Sequence, residues 1–442
     1  MSARVDVDHW TSRFAALATE FEVPGAGLAF WHDGQVYEFA TGVLNRATGT
    51  PVTKDSLFQI GSITKVWTAT QIMLLVEQGR LTLDTPVVDV LPEFRVRDEK
   101  ATATITVRHL LSHTSGVDGD LFLDTGRGDD CVEKYVTACA DLEQIFPVGE
   151  SHAYCNSGFV IAGRIIERLT GKVWDQALRE QICEPLGLTH TWTLPEDALR
   201  FGAAMGHLNG EPAPMWGLMR SVGPAGLICA RPVDVVAFAR AHLTPGALLA
   251  APEVMREPQV DLPNPHTIGA QWGIGWMLNE WDGHLIVGHG GSTLGQDAML
   301  WTVPDTGTVI TLLANGGKVR EFQFAVMSEL LQALVGLTMP TPLGPPDQPV
   351  TVDIERHVGV YEREGTRITV TKEDTGLRMV SESLGEFAYL DKPRVIDLTP
   401  VDDKTFVGLA DGAAIHDVAV FYELRDGTNY VHYGVRATPK KR

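Results

Sequence analysis

The sequence is poor in cysteine and has no long apolar run. Its 442 residues include 5 cysteines, which are scattered and form no Cys-x-x-Cys pair. An odd, scattered set indicates neither a disulfide framework nor a zinc site, and most of these thiols are expected to be small buried side chains. No stretch is long and apolar enough to cross a bilayer. The sequence therefore predicts a protein without a membrane anchor, a bound metal or a cofactor.

Positive charge is also scarce. Lysine and arginine number 36 against 56 acidic residues, which gives a net charge of −20. This excess of negative charge argues against nucleic-acid binding and against docking on an anionic membrane. The first ten residues lack the basic-then-apolar pattern of a secretory signal. On this start, the sequence predicts a cytoplasmic protein.

What remains is a globular composition, in a chain long enough for two or three domains. An amphipathic helix is expected over 7–21, and an Asp-Gly turn at Asp33-Gly34 predicts a hairpin between two early β-type runs. Residues 81–200 look mostly helical. Later β-type runs and a closing helix are expected at 272–278, 284–289, 296–303, 308–315 and 322–335. The predicted fold class is α/β in the broad α+β sense: a mostly antiparallel sheet flanked by helices, with a helical insertion.

A cluster of prolines predicts the domain boundaries. It marks 339–350 as a linker, so that 1–338 forms the first domain and 351–442 a separate, barrel-like all-β domain. The acidic stretch from Asp118 to Asp130 does not match a calcium-loop spacing, and it is therefore interpreted as a solvated loop.

A Ser-x-x-Lys pair stands at the start of a strongly apolar helix. The chain turns at Gly61 into a helix that opens at Ser62 and stops at Gly79. Ser62 and Lys65 are three residues apart and share one helix face, where a lysine could take the proton of a nucleophilic serine. The alternative for an isolated Ser-x-x-Lys is a helix-capping serine beside a solvated lysine.

Two further short patterns carry polar chemistry. Tyr154 and Asn156 lie in a loop before a helix, where a phenol next to a lysine can ionise more easily and shuttle a proton. The amide of Asn156 can orient a substrate carbonyl or hold the lysine in place. His289-x-Gly291 ends a β-type run, and the N–H of Ser292 could pair with that of the serine as an oxyanion hole. Taken alone, each pattern is equally compatible with an ordinary loop or β-turn.

In this order, the three patterns resemble the motifs of the serine β-lactamase and penicillin-binding superfamily, closest to its class C β-lactamase and esterase branch. The resemblance spans about residues 10–336 and includes three further segments, which are 110–116, 226–227 and 272–276. It implies an acyl-enzyme mechanism. Ser62 would be the nucleophile, Lys65 its base and Tyr154 the proton relay, with Asn156 on the substrate and the N–H groups of Ser62 and Ser292 on the oxyanion. His113, in a tight turn, is interpreted as structural.

The third motif departs from the β-lactamase pattern. Lysine is usual where this chain has His289, so efficient β-lactam hydrolysis is in doubt, and the His-x-Gly form is similar to D-aminopeptidases and many esterases and amidases. A C-terminal β-domain also occurs in D-aminopeptidase-like members, where it can reach the active site. The expected function is hydrolysis of a small-molecule ester or amide. The alternatives are a cytoplasmic transacylase that uses an amine or alcohol acceptor, a true β-lactamase and a non-catalytic acyl-binding scaffold.

Two further expectations concern the surroundings of the site. Trp216, Trp272 and Trp276 are candidates for the pocket walls, although core packing is at least as good an interpretation of each. A homo-oligomer is also compatible with the sequence.

Overall fold

The structure is a computed structural model that describes residues 5–373, 376–384 and 392–441. In the first part of the chain the strands are β1 (Gly25–His32), β2 (Gln35–Asn45), β3 (Thr50–Pro51), β4 (Phe58–Gln59), β5 (Thr191–Trp192), β6 (His207–Leu208), β7 (Glu211–Pro212), β8 (Cys229–Ala230), β9 (Val260–Asp261), β10 (Gln271–Trp272), β11 (Met277–Trp281), β12 (His284–Ser292), β13 (Asp297–Val303) and β14 (Thr308–Ala314).

The helices are α1 (Val7–Glu20), α2 (Thr64–Glu77), α3 (Val87–Val90), α4 (Glu99–Thr104), α5 (Val107–Leu111), α6 (Cys131–Ala138), α7 (Asn156–Thr170), α8 (Trp174–Leu178), α9 (Pro195–Ala198), α10 (Gly223–Gly226), α11 (Pro232–Ala241) and α12 (Val319–Val335). Short 3-10 turns lie between several of them, and a π-helical turn, Arg179–Cys183, follows α8.

The main sheet joins both ends of this first part. Its nine described strands run in the order β3-β2-β1-β14-β13-β12-β11-β10-β9, and each neighbouring pair is antiparallel. The β1–β2 turn has positive φ at Asp33 and Gly34, the backbone that an Asp-Gly hairpin adopts. The predicted antiparallel sheet with a helical insertion between its two halves is therefore confirmed.

Helices cover both faces of this sheet. One face packs with α1 and α12 in a core that includes Phe14, Phe30 and Phe322. The other face packs with α2, α7 and α11 in a larger core, where the Trp67 and Phe238 rings stack at 3.8 Å. Most side chains of α2 are buried around its whole circumference, as its unbroken apolar sequence predicts. The helix that begins at the Ser-x-x-Lys pair is thus the centre of the larger core.

One predicted strand is wrong. Residues 272–278 are not a single β-run, because β10 ends at Trp272 and β11 begins at Met277. Gly275 lies in the turn between them with φ +77, a conformation that suits glycine. The aromatic and apolar composition of the segment resembled a strand, but its two glycines allow a tight turn instead.

The C-terminal part is all-β, as predicted. After residues 336–354, which contain no helix or strand, a 3-10 turn leads into β15 (Gly359–Arg363), β16 (Thr366–Glu373), β17 (Gly376–Ser383), β18 (Arg394–Pro400), β19 (Thr405–Gly408), β20 (Asp417–Glu423), β21 (Asn429–Tyr433) and β22 (Arg436–Pro439). Each strand pairs with the next, and a bridge between Tyr361 and Lys440 brings the first beside the last. We call this near-closed sheet the barrel. The domain limits at 338 and 351 stay a prediction.

The described residues contain neither a membrane-spanning helix nor a cluster of metal ligands. No helix among them is both long and apolar enough to cross a membrane. Nor do three or more His, Cys, Asp or Glu side chains come together there in a group that could hold a metal ion.

Candidate active site

The first motif lies where strand β4 turns into the buried helix. Gly61 has φ +50 and begins a 3-10 turn, Gly61–Ile63, that runs directly into α2. Ser62 stays half-buried in this turn, and Lys65 lies within the first turn of α2 with no exposed surface. At the other end, Gly79 follows α2 with φ +68, as predicted for its C-terminal stop. The lysine is buried, so it is not the solvated residue of the alternative interpretation.

The Lys65 amine contacts the serine directly. Its Nζ lies 3.0 Å from Ser62 Oγ and donates to the Ala225 carbonyl at 2.6 Å, on α10. Burial lowers the pKa of Lys65 well below its usual value, and the positive charge of Arg436 lowers it further. Burial thus favours the uncharged form of the Lys65 amine, which is the form that can accept a proton.

A buried histidine holds the second motif, Tyr154-x-Asn156, in place. Cys155 caps α7, and its backbone N–H donates to His113 Nδ1 at 2.9 Å. The His113 ring is fully buried and stacks on the Tyr154 ring at 4.2 Å. The structural role predicted for His113 agrees with these contacts, because they hold the segment that carries Tyr154.

The Tyr154 phenol faces the first motif. Lys65 Nζ lies 4.9 Å from the centre of its ring. Burial raises the pKa of Tyr154 far above its usual value, although a contact with the Ser62 side chain opposes the rise. The expectation that this tyrosine ionises more easily is therefore wrong, because desolvation outweighs its neighbours. Tyr154 is a neutral phenol that can donate a proton.

Asn156 begins α7 and contacts a carboxylate. Its Nδ2 donates to Asp120 Oδ1 at 3.0 Å. Asp120 in turn binds Arg436 of the barrel, which donates through Nε and Nη2 at 2.6 and 2.8 Å. Arg363, also of the barrel, lies 2.8 Å from Asp120 and 3.3 Å from Asp118.

This cluster corrects the interpretation of the 118–130 stretch as a solvated loop at its first residues, whereas 126–130 are exposed as expected. The Asp118 side chain is 2% exposed and that of Asp120 is 12% exposed. Burial raises the pKa of Asp118 to about 6, while Arg363 opposes the rise. The first residues of the acidic stretch thus form ion pairs with arginines of the barrel. These arginines are so distant in the sequence that no local pattern could predict the contact.

The third motif lies against the first, backbone to backbone. Gly291 is on β12, and a Cβ at this position would lie 1.9 Å from the Ile60 carbonyl oxygen and 3.0 Å from the Ser62 nitrogen. A Cβ on Gly61 would likewise lie 2.6 Å from the Ser292 nitrogen. Only glycine at these two positions allows so close an approach between the backbone segments that carry Ser62 and Ser292.

His289, the residue that departs from the β-lactamase pattern, is buried. Its ring has no exposed surface and lies edge-on to Trp272 at 5.4 Å, beyond Tyr154. Burial is the main reason that the pKa of His289 is lowered to about 3. His289 is therefore a neutral, buried side chain next to Tyr154 and Trp272. Of the candidate wall tryptophans, Trp272 and Trp276 are buried, and Trp216 is half-buried.

The structure brings all seven predicted site residues into one region, built from the start of α2, the start of α7 and the end of β12: Ser62, Lys65, Tyr154, Asn156, His289, Gly291 and Ser292. Sequence reasoning missed Asp120, Arg436 and the Ala225 carbonyl. The sequence around Asp120 and the sequence around Arg436 do not show that the two side chains meet. A backbone carbonyl, such as that of Ala225, cannot be recognised from the residue type at all.

Comparisons with known proteins agree with this geometry. The Beta-lactamase family profile matches residues 10–333. Penicillin-binding protein 4 of Amycolatopsis lactamdurans is 48% identical over 375 residues, which are 81% of this chain and 98% of that protein.

Solved structures extend the likeness beyond the first part of the chain. SurE bound to D-Leu is similar with a TM-score of 0.78 and 27% identity, covering 98% of this chain and 99% of SurE. A D-amino acid amidase from Ochrobactrum anthropi SV3, in complex with L-phenylalanine amide, is similar with a TM-score of 0.60 and 25% identity over 71% of this chain and 92% of the amidase. By its motifs, its fold and the matched residues, the chain belongs to the β-lactamase family of serine hydrolases.

Proposed function

We propose that this protein is a serine acyl-enzyme hydrolase that acts on a small neutral ester or amide. The observation that carries the proposal is the fully buried Lys65 amine, 3.0 Å from Ser62 Oγ. A buried, uncharged amine beside a hydroxyl at a helix start is the arrangement that a serine nucleophile with a lysine base requires.

In the acylation step, Ser62 Oγ attacks the acyl carbonyl as its proton passes to Lys65 Nζ. The N–H groups of Ser62 and Ser292 hold the negative oxygen of the tetrahedral intermediate. When the intermediate collapses, the carbonyl carbon's bond to the leaving group breaks, and Tyr154 protonates the departing alcohol or amine. Tyr154 regains its proton from the Lys65 ammonium. Its raised pKa supports this role, because a phenol must hold its proton in order to donate it.

In the deacylation step, water attacks the ester that joins the acyl group to Ser62. A proton moves from the water through the same groups back to Ser62 Oγ, and the acid product leaves. The same two oxyanion donors serve again, because the second intermediate places its oxygen where the first did.

The third motif supports a substrate without a carboxylate near the reacting carbonyl. A lysine there would hold such a group, whereas His289 is buried and uncharged. We therefore propose poor turnover of β-lactams and better turnover of neutral esters and amides. The likeness to a D-amino acid amidase and to SurE bound to D-Leu adds D-amino amides to the substrates to be tested.

A second candidate function is acyl transfer to an amine or alcohol. The observation in its favour is the contact of the barrel with the second motif, where the Val435 carbonyl, in the turn between β21 and β22, accepts from the Tyr154 backbone N–H. A covered site can exclude water and hold an acceptor. Hydrolysis and transfer share every residue named above. An ester substrate supplied with and without an amine, with products measured by mass, separates the two.

Intact-mass spectrometry after reaction with a serine-directed phosphonate tests the nucleophile. We expect one adduct on the wild type, none on Ser62→Ala, and an unchanged adduct on Ser12→Ala, which alters an exposed serine on α1. Ser62→Ala should also abolish ester turnover while its thermal unfolding stays close to that of the wild type. Near-normal turnover by folded Ser62→Ala would overturn the mechanism, and no adduct on the wild type would favour a non-catalytic scaffold.

A further inference from the structure

A buried carboxylate links the barrel to the second motif. Asp120 accepts two hydrogen bonds from Arg436, one from Asn156 and an ion-pair contact from Arg363. The Asp120 side chain is 12% exposed, and the two arginine side chains are 23% and 8% exposed. Arg363 also pairs with Asp118, and a network of four charged groups at this depth is held by fixed geometry rather than by loose surface pairing.

The charge of Asp120 determines which way the Asn156 amide faces. Burial opposes ionisation, but Arg436 and Arg363 lower the pKa of Asp120 well below its usual value, so the carboxylate is charged. An ionised carboxylate only accepts hydrogen bonds. The NH2 group of Asn156 must therefore face Asp120, and the amide oxygen is left to accept a hydrogen bond on its other side.

The same turn of the barrel also holds Tyr154. The Tyr154 backbone N–H donates to the Val435 carbonyl at 3.0 Å, one residue before Arg436. The Arg436 guanidinium lies 5.3 Å from the centre of the Tyr154 ring. Both polar residues of the Tyr-x-Asn motif are thus fixed by one short segment of the barrel, the backbone of Tyr154 directly and the amide of Asn156 through Asp120.

We propose that Asp120 is a positioning residue, which Arg436 holds in place so that the Asn156 amide oxygen faces the substrate. This inference rests on the proposed function, since it gives the barrel a part in the same reaction. Asp120 does not touch the reacting atoms and acts through Asn156. The expected partner of the amide oxygen is an N–H of the substrate, which favours substrates with an amide beside the acyl carbonyl.

Asp120→Asn is the main test. The new side chain has one oxygen and one NH2 group, and the two arginines attract the oxygen. Its NH2 group then meets the NH2 group of Asn156, so the Asn156 amide must turn over or move away. We expect kcat for an N-acyl amino ester to fall about tenfold to a hundredfold, since small misplacements in an active site cost rates of this order. Thermal unfolding measured beside the kinetics shows whether the variant is folded.

Arg436→Lys is a second test of the contact between Arg436 and Asp120. Lysine keeps the charge but cannot make the paired hydrogen bonds of a guanidinium, so we expect a smaller loss of kcat in the same direction. Arg378→Lys is the matched control, because Arg378 makes an equivalent two-bond contact to Asp397 on the exposed side of the same barrel. This control should keep wild-type kinetics.

A double-mutant cycle separates positioning from simple stabilisation. In an Asn156→Ala background, Asp120→Asn should change kcat by less than about twofold, because the residue through which it acts is gone. Losses that multiply in the double variant, or an Asn156→Ala variant with wild-type kcat, would overturn the inference. If Asp120→Asn fails to fold, Asp120→Asn/Arg436→Gln removes one buried charge of each sign and replaces it in the cycle.

A failure of the inference about Asp120 can be distinguished from a failure of the proposed function. Each variant is also treated with the serine-directed phosphonate. A wild type that forms no Ser62 adduct would overturn the proposed function. A wild type that forms the adduct, together with an Asp120→Asn variant of unchanged kcat, would overturn only the role of Asp120.

Discussion

At the residue scale, Lys65 shows how burial would prepare the base of the proposed mechanism. A neutral amine can accept the Ser62 proton while its own N–H donates to the Ala225 carbonyl, and both contacts are present. In water the same side chain would be charged and unable to act. The pKa of Lys65 is lowered mainly because the surrounding helices exclude solvent.

Lys65→Arg should lower kcat/KM by about 10²-fold to 10⁴-fold, because arginine keeps its proton and cannot act as a base. Lys65→Met is the control for misfolding, because the methionine side chain is apolar and similar in length to that of lysine. This variant should be as inactive as Lys65→Arg. Ester hydrolysis is measured together with thermal unfolding. A loss of less than about tenfold in a folded variant would indicate another base.

Titration of His289 should not contribute to the pH dependence of kcat/KM. Its pKa is lowered to about 3, so it is uncharged from pH 5 upward, and an ordinary histidine inflection near 6.5 should be absent. Activity instead falls as the pH drops through the lowered pKa of Lys65, since protonation removes the base. The measurement is kcat/KM for a neutral ester from pH 5 to 8. An inflection near ~6.5 that disappears in His289→Gln would contradict this assignment.

At the scale of elements, the site depends on a close contact between two helices. A Cβ on Gly163 of α7 would lie 2.2 Å from Cγ of Pro224 on α10. The same short helix presents two carbonyls to α2, with Pro224 O accepting from Thr68 and Ala225 O accepting from Lys65. The spacing of α7 and α10 therefore sets where the lysine amine is held.

Gly163→Ala should push α10 away from α7 and move the carbonyl that binds Lys65. We expect a loss of about 1–3 kcal/mol of unfolding free energy, the usual cost of overpacking, together with a lower kcat. Gly223→Ala is the matched control on α10, because a Cβ there would meet the Trp174 ring at 3.4 Å, an ordinary contact. Chemical denaturation and ester kinetics measure both effects. Equal behaviour of the two variants would show that the helix spacing is not critical.

At the scale of the whole molecule, the barrel and the first part of the chain share a buried interface. Phe146 and Ala153 pack with Tyr430 and Ala437. The Tyr430 hydroxyl also donates to the Ile145 carbonyl at 2.8 Å. The barrel and the first part of the chain thus meet both through apolar packing and through the buried ion pairs of Asp120.

Truncation after Leu337 tests the barrel as a whole. The predicted domain boundary implies that the remaining core folds, but two acidic side chains, Asp118 and Asp120, would lose both arginine partners. We expect a lower unfolding temperature and a reduced rate across an ester and amide panel. Asp118→Asn/Asp120→Asn in the truncated chain should recover part of the stability by removing the like charges. Unchanged kinetics in the truncated protein would make the barrel a stability element only.

Much of the fold follows from short-range patterns. The Asp33-Gly34 turn, the apolar helix that stops before Gly79 and the strands β12, β13 and β14 were all predicted to within a few residues. The failure at 272–278 has a physical reason, since aromatic and apolar residues suit a buried turn as well as a strand. Only the backbone of Gly275 decides between the two.

The sequence by itself determined the parts of the site that depend on spacing along the chain. Three residues from Ser62 to Lys65 place a hydroxyl and an amine on one helix face, and glycine at 61 and 291 permits two backbones to touch. The tertiary structure alone decided the charges. Burial by distant segments lowers the pKa values of Lys65 and His289 and raises that of Tyr154, so it favours the uncharged form of each side chain. Asp120 meets Arg436 across 316 residues of chain, and no local pattern encodes a contact that only the folded barrel creates.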